Sequence, residues 1–572
     1  MTDKLADYKR AEAQLPTCNR LWPLYGAGFE NLGRNGQPIE VPMPQYGPDE
    51  LLVRHDACSL CFSDVKVVRA GQKHPRIYRD MRSDPVVLGH EVTMTVVGVG
   101  DDLRDQYRVG DRFIVQADIY VDGVNLAYGY MIQGGQSQYN VIDQRVLNGD
   151  DGNYLVPVQP STGYAESALT EPWTCVITAY TLTYRTGLKP GGTTWIIGTP
   201  AMPGEGTYTI SAGFDQSSHP DRLLLTDVPA DFSHWLKARA EALGVPVNEV
   251  DDVSNPPADL VDDIVLLGAS PDLIEAASPR LARFGILAII ADTPLARRVN
   301  VDVGRVHYNR WLYVGGPGPD IARAYSDVPV RSELKPGGRA WFVGAGGPMG
   351  RMHVQRAIEA PEGPRMILCT ARSSRRLSVV ESIYRADAEA RGVSFTCVSR
   401  AEEEAYERAL ADGRALGFDD IMIMAPSTSA IAEAADCVAP GGVVNIFAGV
   451  PRGTMAPLDL SDVYLRGVRF IGHSGLTIEN MRLALDLVES GRLSPNRLVA
   501  AIGSLGAVRD GLRAVNAAVF PGKVVVFPHI KDLPLTPLPD LEDRLPSVYA
   551  RLKDGREWTR EAEEELLRRM LP

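Results

Sequence analysis

An internal repeat is the feature of this sequence that most limits the folds open to it. The segment Leu188-Lys-Pro-Gly-Gly-Thr-Thr-Trp-Ile-Ile-Gly198 recurs as Leu334-Lys-Pro-Gly-Gly-Arg-Ala-Trp-Phe-Val-Gly344. In both copies, short apolar runs alternate with helical stretches, which is typical of βαβ units in a parallel sheet. The period is far longer than the roughly 20–50 residues of a solenoid repeat. The repeat predicts one doubly wound α/β domain that occurs twice, over residues 188–333 and 334–504.

The sequence on either side of the two copies follows other patterns. Residues 40–160 contain short apolar runs separated by turn residues, which indicates a β-rich domain, and residues 161–187 read as a helix. Pro521-Gly-Lys-Val-Val-Val-Phe527 reads as a returning strand. We therefore expect a β-rich domain over 1–187, completed by about 505–530. The C-terminal extension, 531–572, is expected to begin as a linker rich in Pro and Asp and to end in a helix capped by Thr559.

Composition excludes several classes of protein. The chain has 572 residues, which suggests several domains, and its 59 basic and 72 acidic residues give a net charge of −13. This acidic balance disfavours binding to nucleic acid, and seven Cys are too few for a disulfide scaffold. The N-terminus is polar, and no apolar run approaches the ~20 residues of a membrane helix. These properties predict a soluble cytoplasmic protein with reduced thiols and no membrane partner.

A glycine-rich loop in the second copy suggests a cofactor site. Gly344, Gly346, Gly347 and Gly350 follow an apolar strand and precede a helix. In that context, glycines make the tight turn, let the backbone approach a pyrophosphate, and let the helix pack on the strand. We expect this loop to bind NAD or NADP. The alternative is a tight turn in an α/β domain that binds nothing.

The residues after the next strand bear on the choice of cofactor. An acid there would select the ribose 2′-hydroxyl of NAD. The second copy has no acid at this point, and Arg372, Arg375 and Arg376 follow the strand instead. Three guanidinium groups favour a 2′-phosphate and therefore NADP. NAD stays open, because the same arginines are compatible with a solvated start of a helix.

The first copy has the opposite features. It keeps an acid, Asp227, at the end of the corresponding strand, but Pro200 stands where the second glycine belongs. Proline has no N–H, and its ring blocks close approach of a ligand. We expect this copy to be damaged for pyrophosphate binding and to have a structural or oligomeric role. A rearranged cofactor site is the alternative.

A set of potential metal ligands lies in the β-rich region. Thiolate, imidazole and carboxylate ligands together can make a catalytic zinc site with an exchangeable position; the candidates are Cys61, His90, Glu91 and Glu171. Ser63 is positioned to pass a substrate proton towards solvent, and Asp64 to orient the ligands. Each residue alone is also compatible with ordinary packing. Cys58 and Cys61 form a Cys-x-x-Cys pair, but no second pair follows, so a four-cysteine structural zinc site is not expected.

These motifs resemble a known family. In order and spacing, Cys61-x-Ser-Asp, Gly-His90-Glu91, the Glu171-Pro pair, the glycine loop and Gly522-Lys-Val-Val-Val are similar to the zinc-dependent medium-chain alcohol/polyol dehydrogenases. Within them the chain is most similar to the L-sorbose 1-phosphate reductase type. The segments that suggest this include Gly129-Tyr-Met-Ile-Gln-Gly-Gly, Leu169-Thr-Glu-Pro-Trp-Thr-Cys and Gly472-His-Ser-Gly475.

The resemblance implies a fold, a ligand set and an activity. It implies a β-rich GroES-like catalytic domain beside a Rossmann domain, zinc held by Cys61, His90 and a carboxylate, and a homo-oligomer. Glu171 stands where other members have a second Cys, and Glu91 is the competing carboxylate. One nucleotide domain is usual in the family, so residues 188–333 have no counterpart in an ordinary member.

We therefore expect a zinc- and NAD(P)-dependent dehydrogenase or reductase. Its substrate would be a polyol, a ketose or a sugar phosphate, and a phosphate group could be bound by Lys66, Lys73, His74 and Arg76. A solvated basic loop is the alternative for those four residues. Two other functions stay open at this point: a zinc- and nucleotide-binding sensor or assembly protein without turnover, and a zinc-assisted lyase or epimerase.

Overall fold

The structure is a computed structural model that describes residues 4–11, 14–200, 208–253 and 259–572, apart from the side chain of residue 412. The chain divides into two compact units. The first unit contains Met1–Ile177 and Gly475–Pro572, and the second contains Thr178–Ser474. The second copy of the repeat therefore ends at 474, not at the expected 504.

The strands of the described residues are numbered in chain order. They are β1 Cys18–Leu21, β2 Pro23–Leu24, β3 Ile39–Pro42, β4 Leu51–Leu60, β5 Val86–Val87, β6 Glu91–Val99, β7 Arg112–Val115, β8 Tyr120–Val121, β9 Val124–Asn125, β10 Tyr139–Ile142, β11 Leu155–Pro157, β12 Thr193–Gly198, β13 Arg222–Thr226, β14 Val247–Glu249, β15 Val261–Leu267, β16 Leu281–Ile290, β17 Val299–Asp302, β18 Leu312–Gly316, β19 Arg339–Val343, β20 Met366–Ala371, β21 Ser394–Ser399, β22 Phe418–Ile423, β23 Val438–Ile446, β24 Met455–Leu458, β25 Arg469–Ile471, β26 Val499–Ser504, β27 Lys523–Phe527 and β28 Thr536–Pro537.

The α-helices are numbered in the same way. They are α1 Lys4–Arg10, α2 Phe62–Ala70, α3 Gln144–Leu147, α4 Tyr164–Ala179, α5 Ala230–Leu243, α6 Pro271–Ala277, α7 Val303–Tyr308, α8 Ile321–Ser326, α9 Pro348–Glu359, α10 Ser374–Ala390, α11 Glu403–Leu416, α12 Thr428–Ala435, α13 Ser461–Leu465, α14 Ile478–Glu489, α15 Val508–Asn516, α16 Leu541–Arg544, α17 Pro546–Tyr549 and α18 Arg560–Met570. Among the described helices, none is both long and apolar enough to cross a membrane.

The first unit is built on one large sheet. Its strand order is β11-β7-β6-β4-β27-β26-β28, with β10 also paired to β4. All ten residues of β4 are buried, because apolar side chains cover both faces of the sheet at its centre. β27 pairs antiparallel with β4, so strands from the two ends of the chain belong to the same sheet.

The C-terminal extension packs against this sheet and is not a linker. Leu533, Leu538 and Leu541 are buried in the same apolar cluster as Leu566 and Leu567 of α18. The expectation of an extended linker over 531–545 was wrong, because the leucines between its prolines pack into the apolar cluster beside the sheet. The terminal helix is present, and the Thr559 hydroxyl accepts a hydrogen bond from the backbone N–H of Ala562.

The helix expected over 161–187 is shorter in the structure. It runs as α4 from Tyr164 to Ala179, with Pro172 in its interior. The second boundary also differs from expectation: β26, Val499–Ser504, pairs with β27 in the sheet of the first unit. A short apolar strand looks the same in either sheet, so its partner could not be read from its sequence.

The second unit contains the duplicated domain. Its two six-stranded parallel sheets have matching orders, β14-β13-β12-β15-β16-β18 and β21-β20-β19-β22-β23-β25. Equivalent contacts recur in both copies: the indole N–H groups of Trp195 and Trp341 donate to the hydroxyls of Thr226 and Thr370, at 3.0 and 2.9 Å. These sheets confirm the α/β class and the tandem Rossmann-like arrangement.

The two copies share one core. β17 of the first copy pairs antiparallel with β24 of the second, from Val299 opposite Leu458 to Asp302 opposite Met455. One apolar cluster contains the buried faces of β15 and β16 together with those of β22 and β23. The copies therefore form a single compact body.

Candidate active site

Three neighbouring strands of the first unit bring the potential ligands together. Cys61 follows the last residue of β4, and His90 precedes the first residue of β6, whose pairing places Glu91 opposite Ser59. β27 begins with Lys523 on the other side of β4. Within the described residues, one group of side chains can hold a metal: the ligand atoms of Cys61, His90 and Glu91 all lie within 4.8 Å of one another.

Cys61 is held at the start of a helix. It is the N-cap of α2, where its sulfur accepts the backbone N–H of Asp64, and the Asp64 carboxylate accepts the N–H of Cys61 at 3.0 Å. This reciprocal capping box fixes the direction of the sulfur. Ser63 lies half-buried on the same first turn. Asp64, which was expected to orient the ligands, therefore also holds the backbone of the candidate ligand Cys61.

His90 is positioned by close backbone packing and by Asp64. Gly89 has φ of +102°, and a side chain there would approach the sulfur of Cys58 to 2.8 Å, so the turn before His90 needs glycine. Asp64 Oδ1 lies 3.2 Å from His90 Nδ1. Burial lowers the pKa of His90, but Asp64 and Cys61 raise it more strongly, to well above its usual value. With Nδ1 facing a carboxylate, Nε2 is the nitrogen available to a metal.

Glu91 forms a buried ion pair with Lys523. The Lys523 ammonium donates to Glu91 Oε1, and only 6% and 1% of these side chains are exposed. Burial raises the pKa of Glu91, but the Lys523 ammonium and His90 lower it to below its usual value. The other oxygen, Oε2, is buried without a hydrogen-bond partner among the described residues. A cation beside Cys61 and His90 would satisfy that oxygen.

Glu171 lies near the group without belonging to it. It is buried on α4, and its ligand atoms are not among those within 4.8 Å of one another. Burial raises the pKa of Glu171 to about 7, with opposing contributions from His90, which lowers it, and Glu91, which raises it. A carboxyl group with this pKa can give or accept a proton near neutral pH.

The donor set suits zinc. Sulfur, imidazole nitrogen and carboxylate oxygen are the ligands of zinc sites, and three of them leave a position for substrate. Cys58 lies outside this group, buried in β4, where burial raises the pKa of its thiol well above the usual value. Sequence reasoning missed Lys523, although a charged residue at the start of an apolar buried strand was a signal available for it.

The expected phosphate-binding residues are partly assembled beside this group. The Arg76 guanidinium donates to Asp118 Oδ1 at 2.7 Å and lies 5.9 Å from the centre of the Tyr130 ring. That ring is 5.6 Å from the His74 ring and 6.1 Å from the His90 ring. Burial lowers the pKa of His74, and the nearby charges of Arg76 and Lys66 lower it further. Lys73 is exposed, and Tyr130 was not anticipated from the sequence.

The glycine loop of the second copy has the geometry of a dinucleotide-binding turn. It joins β19 to α9, and Gly347 is the N-cap of that helix. Gly344 has φ of +95°. At Gly350 a side chain would come within 2.5 Å of the carbonyl oxygen of Gly344. These two positions therefore require glycine for the turn and for helix–strand packing.

The three arginines follow β20, beside this loop. Arg372 and Arg375 are exposed, and Arg376 is half-buried. A side chain at Gly346 would approach the Cβ of Arg376 to 2.9 Å, so Arg376 lies directly against the loop. In the first copy, Asp227 follows β13 with φ of +50°. Of the degenerate loop there, Pro200 is described, whereas 201–207 lie outside the described residues.

Comparisons with known proteins indicate the family of this chain. Residues 47–149 match the family model of the alcohol dehydrogenase GroES-like domain. Mannitol-1-phosphate 5-dehydrogenase of Aliivibrio fischeri is 23% identical over 541 residues, covering 92% of this chain and 93% of that protein. L-sorbose 1-phosphate reductase of Klebsiella pneumoniae is 22% identical over 529 residues, with the same two coverages. A protein of Escherichia coli named "Uncharacterized protein YggP" is 30% identical over 334 residues, covering 53% of this chain and 76% of that protein.

The chain belongs to the zinc-dependent medium-chain alcohol/polyol dehydrogenases. It is therefore an oxidoreductase of the NAD(P)-dependent type, as the resemblance implied. Membership favours this reading over the sensor and the lyase or epimerase considered from the sequence.

Proposed function

We propose that this dehydrogenase transfers a hydride between NADP and a phosphorylated polyol or ketose. The Cys61–His90–Glu91 group carries the proposal, because its histidine and glutamate are buried and Glu91 has an unsatisfied oxygen. The substrate class is supported by the relatives, one named for mannitol 1-phosphate and one for L-sorbose 1-phosphate. It is also supported by the Arg76 guanidinium, which lies beside the Tyr130 ring.

We assign Cys61, His90 and Glu91 as the residues that hold zinc. When bound, zinc supplies a Lewis acid that polarises the substrate oxygen. Asp64 fixes the His90 ring, and Lys523 keeps Glu91 ionised by binding Oε1, which leaves Oε2 for the metal. Glu171 lacks an ion pair among the described residues and has a pKa of about 7, so it exchanges the substrate proton. Ser63 connects that proton to solvent.

Substituting the two glutamates separately tests the assignment. Glu91→Gln is expected to lose bound zinc, measured by metal analysis after dialysis, because an amide is a much weaker ligand. Glu171→Gln is expected to retain zinc and to lose turnover, because it cannot exchange a proton. The opposite pattern, with zinc lost only in Glu171→Gln, would contradict the assignment.

Phosphate recognition is assigned to Arg76, with His74 and Lys66 beside it. Arg76→Met should raise KM for mannitol 1-phosphate about tenfold or more and leave KM for mannitol unchanged, because a charge-assisted hydrogen bond is lost only with the phosphate ester. Arg82→Met, at an exposed arginine on the same segment, is the matched control. Equal effects of Arg76→Met on both substrates would exclude a phosphate-binding role.

A further inference from the structure

The first copy of the duplicated domain places a short helix on the second copy. His307, near the end of α7, donates from Nδ1 to the carbonyl oxygen of Ile446 at 2.9 Å, and Ile446 is the last residue of β23. The Ser474 hydroxyl donates to His307 Nε2 at 3.2 Å, and His473 Nδ1 donates to the His307 carbonyl at 3.4 Å. α7 therefore covers the carboxyl ends of β23 and β25.

These strand ends are where half of a dinucleotide binds. In an open parallel sheet the cofactor lies across the point at which the strand order reverses. In the second copy this point lies between β19 and β22. The glycine loop and Arg372 are on the side of β19 and β20, which assigns the diphosphate and the adenosine ribose to that side. The nicotinamide half is left with the carboxyl ends of β22, β23 and β25.

Tyr308, which is 39% exposed, lies against the backbone that follows β23. Its hydroxyl lies 2.7 Å from where a side chain of Gly449 would begin, so the backbone there is in direct contact with the first copy. The Tyr308 ring stands edge-to-face with His307, with centres 4.6 Å apart, and the Arg452 guanidinium lies 5.2 Å from its centre. The segments around Gly449 and Ser474 are therefore both in contact with α7.

The reciprocal contact exists but differs in its chemistry. α13 of the second copy lies against β18 of the first, where the Tyr464 hydroxyl donates to the carbonyl of Thr293 at 2.6 Å. The Cβ of Tyr464 lies 2.7 Å from where a side chain of Gly315 would begin. That contact faces the copy whose loop contains Pro200. The two copies thus cover each other, and the His307–Tyr308 pair lies against the copy whose glycine loop is intact.

We propose that α7 of the first copy forms a wall of the nicotinamide pocket of the second copy. His307 and Tyr308 are positioning residues that fix the segments around Ser474 and Gly449. The first copy acts in the place of a partner subunit and does not bind a nucleotide of its own. This inference rests on the proposed function in one respect, namely that the second copy binds NADP.

Calorimetric titration of the full chain with two probes tests this. NADP⁺ contains the nicotinamide ring, whereas 2′-phospho-ADP-ribose lacks it. His307→Asn keeps a donor for Ile446 and removes the acceptor for Ser474, and Tyr308→Ala removes the ring over Gly449. Each is expected to weaken NADP⁺ binding by about three- to tenfold, as for one lost hydrogen bond or contact, and to leave 2′-phospho-ADP-ribose binding within twofold.

The matched controls are Tyr464→Phe, which removes the hydroxyl of the reciprocal contact, and Leu465→Ala, at an exposed position on the same helix α13. They should bind both probes like the wild type. Loss of both probes in the α7 variants, or an equal loss in the controls, would show a purely structural role and overturn the inference. So would unchanged NADP⁺ binding in both α7 variants. If the wild type binds neither probe, the proposed cofactor itself is wrong, which is a separate and recognisable result.

Discussion

The Lys523–Glu91 pair allows a prediction whose size follows from burial. Lys523→Met removes the ammonium and keeps a side chain of similar length at the start of β27. In the protein freed of zinc, Glu91 would then be a buried carboxylate that has lost its ion pair, and breaking a buried ion pair destabilises a fold by about 3–5 kcal/mol. The double variant with Glu91→Gln should recover most of this loss, because neither group then carries a charge.

Hydrogen exchange at the backbone amides of β4, β6 and β27, read by mass spectrometry, is the suitable assay. A chain with two compact units need not unfold in one step, so local protection is better defined than a single unfolding free energy. A loss of this size corresponds to exchange about a hundredfold faster or more. Equal protection in Lys523→Met and the wild type would refute the reasoning, and so would additive losses in the double variant.

The sign of the pH dependence gives a second check on the same variant. In the wild type the pKa of Glu91 is lowered, so its contribution to stability is present above its usual pKa and is lost as pH falls through the lowered value. In Lys523→Met the carboxylate keeps the lowering effect of His90 but loses that of the ammonium, so burial shifts its pKa upward relative to the wild type. The penalty of the variant should therefore shrink as the pH falls from 8 to 5. If the loss of stability in Lys523→Met is the same from pH 8 to pH 5, the assigned cause, ionisation of Glu91, is wrong.

Three further predictions concern other sites. Burial raises the pKa of Glu563 from 4.5 to about 7, so its ionisation destabilises the fold by about 3 kcal/mol as the pH rises from 4.5 through 7. The melting temperature of the wild type should therefore fall over this pH range relative to that of Glu563→Gln. Melting temperatures that change in parallel with pH in the two proteins would exclude this effect. Arg372→Ala should weaken NADP⁺ binding about five- to tenfold and leave NAD⁺ binding unchanged in calorimetry, because only NADP⁺ carries the 2′-phosphate. Gly346→Pro should abolish NADP⁺ binding, whereas Asp227→Ala should not, and the reverse result would assign the cofactor to the first copy.

Local signals in the sequence were sufficient for much of this fold. The glycine loop could be predicted because two of its glycines meet requirements set within a few residues, namely the turn at Gly344 and the helix packing at Gly350. The repeat could be predicted because the same strands recur in the same order. Cys61, His90, Glu91 and Glu171 could be singled out as metal-ligand candidates from their types and spacing, whereas it is the pairing of β4 with β6 that brings the first three together.

What could not be predicted depends on partners distant in the chain. Lys523 meets Glu91 across 432 positions, and neither residue carries a local sign of the other. The ionisation of Glu91 and the raised pKa of Glu171 therefore could not be derived from the sequence. The same reason applies to β26, whose apolar residues suit either sheet, and to Leu533 and Leu538, which look like linker residues until the surface they cover is known.

The two copies themselves indicate which properties the first one still needs. It retains the contacts that hold the sheet, such as the Trp195–Thr226 hydrogen bond and the ion pair of Arg185 with Asp263, which matches that of Arg331 with Asp420. Its loop has Pro200 at the position where a glycine would let a pyrophosphate approach. A domain needed neither for binding nor for packing would not be expected to keep the contacts that hold its sheet. Its intact fold and altered loop fit a role in which its surface, including α7, is used while its nucleotide site is not.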